Sequence, residues 1–209
     1  MSRVQTQDEV VAGRVIVLNG TASAGKTSLA HAIQQAATDL WVIVSQDDFA
    51  QNLVPRWVAV EGAFEAAQGG DGFHFVRDEN GHLHVEVGAI GRRMLRGYRF
   101  AVAAIAHAGN DVIVDECTFD PDGVDDWNTA LAGLRSWNVR VECDLDVCEQ
   151  RERARPDRAQ LQGLARGQYE RTHAGVSYDL TVDLTNGDLD RAAATVLSAV
   201  SSAALEDRG

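Results

Sequence analysis

Short apolar runs rich in β-branched residues alternate along the chain with longer amphipathic stretches. The runs have the length of buried parallel strands, and the stretches carry apolar residues at the three- and four-residue spacing of helices. This alternation predicts an α/β fold in which a five-stranded parallel sheet is covered by helices on both faces. The predicted strands are 14–19, 41–45, 111–115, 138–143 and 179–183. The predicted helices are 26–37, 47–54, 89–108, 124–134, 146–154, 160–173 and 188–204.

One region departs from this alternation. Residues 55–88 contain several glycines and the pair Asn80-Gly81, which is typical of a β-hairpin turn. Three histidines flank the turn, and polar alternation along a hairpin explains them better than a metal site does. Since the sequence contains no Pro- or Ser-rich linker and no repeat, we expect a single domain over residues 1–209, with 55–88 as an insert.

The overall charge narrows the classes of partner. The chain has 209 residues and a formal net charge of −12, whereas nucleic acid and anionic membranes both require a basic surface. Apolar runs are too short to span a bilayer, and the polar amino terminus does not resemble a signal peptide. We therefore expect a cytoplasmic protein with no nucleic-acid or membrane partner. The pattern leaves a homo-oligomer open.

The first predicted strand runs directly into a glycine-rich sequence. Residues 20–27 match the phosphate-binding loop pattern G-x-x-x-x-G-K-[ST], and a predicted helix follows them. Small residues let backbone N–H groups point at a phosphate, and the helix adds its positive amino end. Lys26 is expected to reach the outer phosphates of a bound nucleoside triphosphate, and the Thr27 hydroxyl to bind Mg²⁺. The residues predicted to bind the nucleotide here are Gly20, Thr21, Ala22, Ser23, Ala24, Gly25, Lys26, Thr27 and Ser28.

Carboxylates follow two further predicted strands. In open parallel sheets, ligands bind beyond the carboxyl ends of the strands. Asp47 and Asp48 come after the second strand, where a carboxylate is placed to accept a proton from a substrate hydroxyl; capping of the next helix is the alternative role. Asp115 ends the third strand. It suits a Mg²⁺ site, with a solvated strand end as the alternative.

Four arginines lie within eight residues, at positions 151, 153, 155 and 158. This density is unusual in so acidic a protein. A planar guanidinium binds phosphate oxygens through two parallel N–H groups and stabilises the charge that builds up during transfer. Charge pairs along a helix end explain some of these arginines. The pattern predicts that at least one of them closes over the phosphates as part of a lid spanning 151–160.

Taken together, these motifs resemble chloramphenicol phosphotransferase and its relatives. The resemblance extends from Val15 to about Thr185, and its most specific parts are the arginine segment and residues 173–179, which read His-Ala-Gly-Val-Ser-Tyr-Asp. It implies the P-loop NTPase fold, in the branch of shikimate and nucleoside monophosphate kinases. It also implies that the γ-phosphate of ATP passes to a hydroxyl of a small molecule, which in the namesake is an antibiotic.

The resemblance implies a role for several residues. The general base of the family falls on Asp47. The lid arginines near the nucleotide fall on Arg155 and Arg158, with Arg151 one turn earlier. Asp47, Arg155 and Arg158, together with Lys26, form the predicted catalytic machinery, and Arg151 is predicted to bind the nucleotide.

The acceptor is the least defined part of this prediction. By the same resemblance, residues 55–88 hold the acceptor, and the chain is longer than the namesake around 57–70. The sequence Asp47-Asp48-Phe49 is more similar to uridine and nicotinamide riboside kinases than to the namesake. An antibiotic and a nucleoside, sugar or cofactor precursor therefore both remain as acceptors. A nucleotide-gated regulatory ATPase, which needs no base for an acceptor, is a further alternative.

Overall fold

The computed structural model describes residues 10–51, 58–60, 71–120 and 122–206. Within these ranges, a main sheet and a small sheet are flanked by helices. The strands are β1 (Arg14–Asn19), β2 (Trp41–Ser45), β3 (Val58–Val60), β4 (Phe73–Arg77), β5 (Leu83–Val87), β6 (Asp111–Glu116), β7 (Arg135–Glu142) and β8 (Leu180–Asp183). The helices are α1 (Lys26–Ala36), α2 (Gln46–Gln51), α3 (Ala89–His107), α4 (Gly123–Ala130), α5 (Leu145–Arg153), α6 (Leu164–Gln168) and α7 (Leu189–Glu206).

The main sheet has five parallel strands in the order β2-β6-β1-β7-β8, which confirms the predicted α/β architecture. β1 lies at the centre, where Val15 is paired with Val112 of β6 and Ser136 of β7. Asp115 of β6 lies between Leu18 of β1 and Ser45 of β2. The carboxyl ends of the first three predicted strands therefore meet at one edge.

Alternate residues of β1 pack into two separate cores on the two faces of the sheet. Ile16 and Leu18 belong to the core that α1 and α7 cover. Val15 and Val17 belong to the core under α3 and α4. All four side chains are buried, and full burial of such a side chain contributes about 1.5–3 kcal/mol. A continuous apolar run is needed because the central strand has no solvated face.

The predicted hairpin is present in the small sheet. β4 and β5 are antiparallel, and Asp78 Oδ1 accepts the N–H groups of Asn80 and His82, each at 2.9 Å. Gly81 has a φ of 80°, a conformation that favours glycine. β3 lies parallel to β4 and is an addition to the predicted elements. The extra residues expected at 57–70 lie outside the described residues, apart from β3 itself.

The single helix predicted over 160–173 is wrong. A 3₁₀ segment (Pro156–Leu161), α6 and a second 3₁₀ segment (Arg171–His173) take its place. The break comes at Gly163, whose φ is 94°. The Glu152 carboxylate accepts the N–H of Gly163 at 2.7 Å and that of Ala165 at 2.9 Å. A capping carboxylate from α5 therefore starts a new helix at this point.

The other predicted elements agree with the structure to within a few residues, with three differences at their ends. β7 begins three residues early, because Arg135–Trp137 pair with the first half of β1. α4 ends at Ala130, and Gly133 follows with a φ of 80°. Residues 52–54 of the second predicted helix are not among those described. No helix in the described part of the chain is both long enough and apolar enough to cross a membrane.

Candidate active site

The phosphate-binding loop has the backbone conformation that its glycines predict. A Cβ atom on Gly20 would lie 2.5 Å from the carbonyl oxygen of Val141, so only glycine lets the end of β1 lie this close to β7. Ser23 and Gly25 have positive φ angles of 61° and 104°. These conformations curl the backbone after β1, and α1 begins at Lys26. The loop thus ends at a helix amino terminus, the geometry that binds phosphate.

The polar side chains of the loop lie next to β6. Lys26 Nζ donates to the carbonyl of Thr21 at 2.9 Å. The Thr27 hydroxyl donates to Asp115 Oδ2 at 2.5 Å, and Ser28 is exposed in the first turn of α1. The sequence-predicted lysine, threonine and strand-end aspartate are therefore brought together.

The Thr27–Asp115 pair fits a magnesium ion. Both side chains offer oxygen, the donor that Mg²⁺ prefers, and in phosphate sites this ion takes one or two protein ligands and fills its other positions with phosphates and waters. In the described ranges, no three His, Cys, Asp or Glu side chains are grouped as a metal site. A site that uses one hydroxyl and one carboxylate is consistent with both observations.

The predicted base is in direct contact with the arginine segment. Asp47 is in the first turn of α2, and its Oδ2 accepts a hydrogen bond from Arg158 Nη2 at 2.9 Å. The two side chains are 59% and 35% exposed. Exposed ion pairs contribute at most about 1 kcal/mol, so an entering substrate can separate them. The neighbouring Asp48 is exposed on the same helix.

The other two predicted arginines lie beside the loop in different ways. Arg151 donates from Nη1 to the carbonyl of Ala24 at 3.2 Å and from Nη2 to that of Leu184 at 2.8 Å. It thereby joins the phosphate loop to the turn after β8. Arg155 is exposed and lines a small cleft together with Ser23 and Arg158. Arg151 therefore contacts the phosphate loop, and Arg155 lies beside it.

Asn19, the last residue of β1, is a site residue that the sequence analysis missed. It is buried. Its Oδ1 accepts the N–H of Thr118 at 2.9 Å, and its Nδ2 donates to the Thr172 carbonyl at 2.8 Å and to the Tyr178 hydroxyl at 2.7 Å. Asn19 therefore ties the loop after β6 and the segment before β8 to the start of the phosphate loop. The available signal was a polar residue closing an apolar strand.

Residues 173–179, which the sequence analysis singled out, contact Asn19 through the Tyr178 hydroxyl. His173 Nδ1 lies 2.7 Å from the Tyr178 hydroxyl. Burial, together with the nearby charges of Arg140 and Lys26, lowers the pKa of His173 to about 4. Burial also raises the pKa of Tyr178 to about 12. Both side chains are therefore neutral at neutral pH, and they hold this segment against Asn19.

Gln46, the first residue of α2, was also missed. It is buried, and its Oε1 accepts the N–H of Cys117 at 3.1 Å. This bond connects the start of the helix that carries Asp47 to the chain just beyond Asp115. Its sequence position offered no signal, because the contact depends on β2 and β6 being neighbours.

Comparison with known proteins identifies the family of this chain. The model of the chloramphenicol phosphotransferase-like protein family matches residues 13–201. Two Mycobacterium tuberculosis proteins, from strains H37Rv and CDC 1551, are each 30% identical over 179 residues, which cover 83% of this chain and 76% of theirs. Each is named "Putative O-phosphotransferase".

Solved structures of two kinases and of an antibiotic resistance protein share the fold. The Mycobacterium tuberculosis APS kinase has a TM-score of 0.61 at 15% identity and covers 90% of this chain and 96% of its own. A shikimate kinase from Acinetobacter baumannii has a TM-score of 0.53 at 14% identity, over 93% of this chain and 95% of its own. The tunicamycin resistance protein of Deinococcus radiodurans has a TM-score of 0.56 at 16% identity, over 90% and 95%. With the family match and the loop geometry, these likenesses lead to one conclusion: the chain belongs to the chloramphenicol phosphotransferase-like family and is an ATP-dependent O-phosphotransferase with the P-loop kinase fold.

Proposed function

We propose that this protein transfers the γ-phosphate of ATP to a hydroxyl group of a small-molecule antibiotic, with Asp47 as the general base. The observation that carries the proposal is the position of Asp47, which faces the arginine segment through its hydrogen bond with Arg158. From this position, Asp47 would reach both the acceptor hydroxyl and the transferring phosphoryl group. A nucleotide-gated regulatory ATPase would need no such carboxylate.

The proposed mechanism is an in-line displacement. Asp47 takes the proton of the acceptor hydroxyl while the acceptor oxygen forms a bond to the γ-phosphorus. The bond from that phosphorus to the bridging oxygen breaks, and ADP leaves. Lys26, Arg155 and Arg158 offset the negative charge on the phosphates as it shifts. Little covalent chemistry is required of the protein, so positioning and electrostatics account for the rate.

Thr27 and Asp115 would hold Mg²⁺ in this scheme, and the ion would supply neutralisation of phosphate charge. Arg151 would stay close to the nucleotide through its bond to the phosphate loop. The segment 151–160 would act as the lid, and 55–88 as the acceptor-binding insert. The hydrogen bond between Arg158 of the proposed lid and Asp47 of α2 supports the first of these two roles.

Two observations bear on the acceptor. The family that the chain belongs to is named for chloramphenicol, which supports an antibiotic. The sequence Asp47-Asp48-Phe49, which is similar to that of uridine and nicotinamide riboside kinases, favours a metabolic kinase as the second candidate. The chemistry at the hydroxyl is the same in both cases.

An acceptor screen tests the proposal. ATP consumption is measured over hydroxyl-bearing antibiotics, nucleosides and sugars, and mass spectrometry checks each hit for one added phosphoryl group. With the best acceptor, we expect Asp47→Asn to lower kcat about 10²–10⁴-fold, the usual contribution of a general base, with little change in ATP affinity. Asp48→Asn is the matched control and is expected to retain activity.

Each outcome has a clear meaning. Phosphorylation of a nucleoside or sugar would be consistent with the same mechanism and would identify a metabolic kinase. Wild-type turnover in Asp47→Asn would show that Asp47 is not the general base. Slow ATP loss that needs no acceptor and survives this substitution would favour the regulatory ATPase.

A further inference from the structure

A buried cation lies directly behind the proposed magnesium site. Arg99 of α3 is fully buried, and its guanidinium lies among three carboxylates. Nη1 and Nη2 form a two-pronged pair with Asp120, at 3.0 and 2.6 Å. Nη2 also donates to Glu116 Oε1 at 3.1 Å, and Nη1 lies 3.6 Å from Asp126 Oδ2. One guanidinium thus holds together β6, the loop after it and α4.

Stability alone is a poor explanation for this cluster. Moving charged groups out of water costs several kcal/mol per ion, and well-packed apolar side chains of the same volume often stabilise a protein equally well or better. A buried pair of this kind can instead fix one arrangement of the chain. The position of the cluster indicates which arrangement that is.

Glu116 is the residue next to Asp115 in β6, and successive residues of a strand point to opposite faces. Asp115 points towards α1, where it accepts the Thr27 hydroxyl. Glu116 points towards α3 and Arg99. The end of β6 is therefore held from both faces of the sheet. On the Arg99 side the packing is close, since a Cβ atom on Gly123 would lie 3.0 Å from Arg99 Nη2.

The same helix contacts the helix that carries the proposed base. The ring of Tyr98, which precedes Arg99, packs edge-on against the ring of Phe49 in α2, with 5.0 Å between their centroids. α3 thus lies behind both Asp47 and Asp115. A shift of Arg99 relative to β6 would change the direction of the Asp115 carboxylate.

We propose that Arg99 is a positioning residue for the magnesium site, which acts through Glu116 to hold the Asp115 carboxylate towards Thr27. This inference rests on the proposed function, because it takes Asp115 as a metal-binding residue. In the part of the chain that the structure describes, the Arg99 guanidinium contacts Glu116, Asp120 and Asp126 and neither the phosphate loop nor Asp47. Its effect passes through the backbone between positions 115 and 116.

The test measures metal binding without the acceptor reaction. Binding of a fluorescent ATP analogue is followed first without Mg²⁺ and then during titration with MgCl₂. Arg99→Lys keeps the positive charge but cannot form the two-pronged pair with Asp120. We expect the Mg²⁺ concentration at half-saturation to rise about 10–100-fold in this variant, which is the usual effect of disturbing groups that orient a metal ligand. Affinity for the analogue without Mg²⁺ is expected to stay within about twofold.

The matched control is Arg92→Lys, which also keeps the charge. Arg92 lies two turns earlier on α3 and pairs with the exposed Asp122 at 3.5 Å, not with the three carboxylates around Arg99. Wild-type Mg²⁺ dependence is expected there. If Arg99→Lys does not fold, Glu116→Gln replaces it, since Arg99 then keeps its fork with Asp120.

Three results would contradict the inference. Wild-type Mg²⁺ dependence in a folded Arg99→Lys or in Glu116→Gln would overturn it and leave the proposed function intact. An equal shift in Arg92→Lys would mean that replacing any arginine of α3 has this effect. A wild-type protein whose analogue binding ignores Mg²⁺ would overturn the metal site and this inference together.

Discussion

Individual polar side chains hold the segments of the site together, and two of them, His173 and Tyr178, are neutral when they do so. Asn19 can serve three neighbours because Tyr178 presents a neutral hydroxyl, which His173 holds in place. A charged imidazole would be buried near Lys26 and Arg140, and this is why the pKa of His173 falls to about 4. The neutral histidine is therefore part of the fold around the phosphate loop.

A pH dependence of stability follows from His173. Its pKa is lowered from 6.5 to about 4 in the folded protein. Between these values the unfolded chain binds a proton that the folded chain does not. The stability that depends on neutral His173 is therefore fully present above pH 6.5 and is lost as the pH falls towards 4. Since the side chain is only half-buried, we expect a loss on the order of 1 kcal/mol.

Urea unfolding at pH 7.5 and pH 5 measures this loss. Carboxylates throughout the protein also respond to acid, so the useful quantity is the difference between wild type and His173→Gln. The glutamine cannot titrate, and its free energy of unfolding should fall less on acidification. Equal pH dependence in the two proteins would show that His173 is not responsible.

At the level of strands and helices, the sequence predicts the parts of the structure that depend on residues close together in the chain. The strands are apolar runs, and the phosphate loop requires only the spacing of its own residues. The contacts of Asn19, Gln46 and Arg99 could not be predicted, because they depend on which strands and helices become neighbours. The helix predicted over 160–173 was wrong for a related reason: the residue that interrupts it belongs to α5.

Removing the capping carboxylate should loosen this segment. Glu152→Ala leaves the N–H groups of Gly163 and Ala165 without their acceptors. We expect a loss of about 1–3 kcal/mol in the free energy of unfolding, the range for losing a cap or a buried acceptor. Urea denaturation measures it.

Glu149→Ala is the control for this substitution. Glu149 is one turn earlier on α5 and pairs with Arg166 at the surface. Its loss should lower the free energy of unfolding by at most about 1 kcal/mol. If both substitutions had the same effect, capping of α6 by Glu152 would not be the reason for the break in the helix.

The charge of the whole molecule contrasts with that of its site. The chain has a net charge of −12, yet Lys26 and three arginines lie beside the phosphate loop. A local positive region attracts an anionic nucleotide that the rest of the surface repels. ATP that binds to these few residues should therefore stabilise the folded protein.

Thermal unfolding with and without MgATP measures this coupling. At 100 times its dissociation constant, a ligand that binds only the folded state stabilises it by about 2.7 kcal/mol. For a chain of this size, that corresponds to a rise in Tm of about 5–10 °C. Asp47→Asn should keep the rise, because the role proposed for Asp47 concerns the acceptor and not the nucleotide. Lys26→Ala should lose most of it, because the phosphates lose their cation. A full rise in Lys26→Ala would mean that the nucleotide binds away from the phosphate loop.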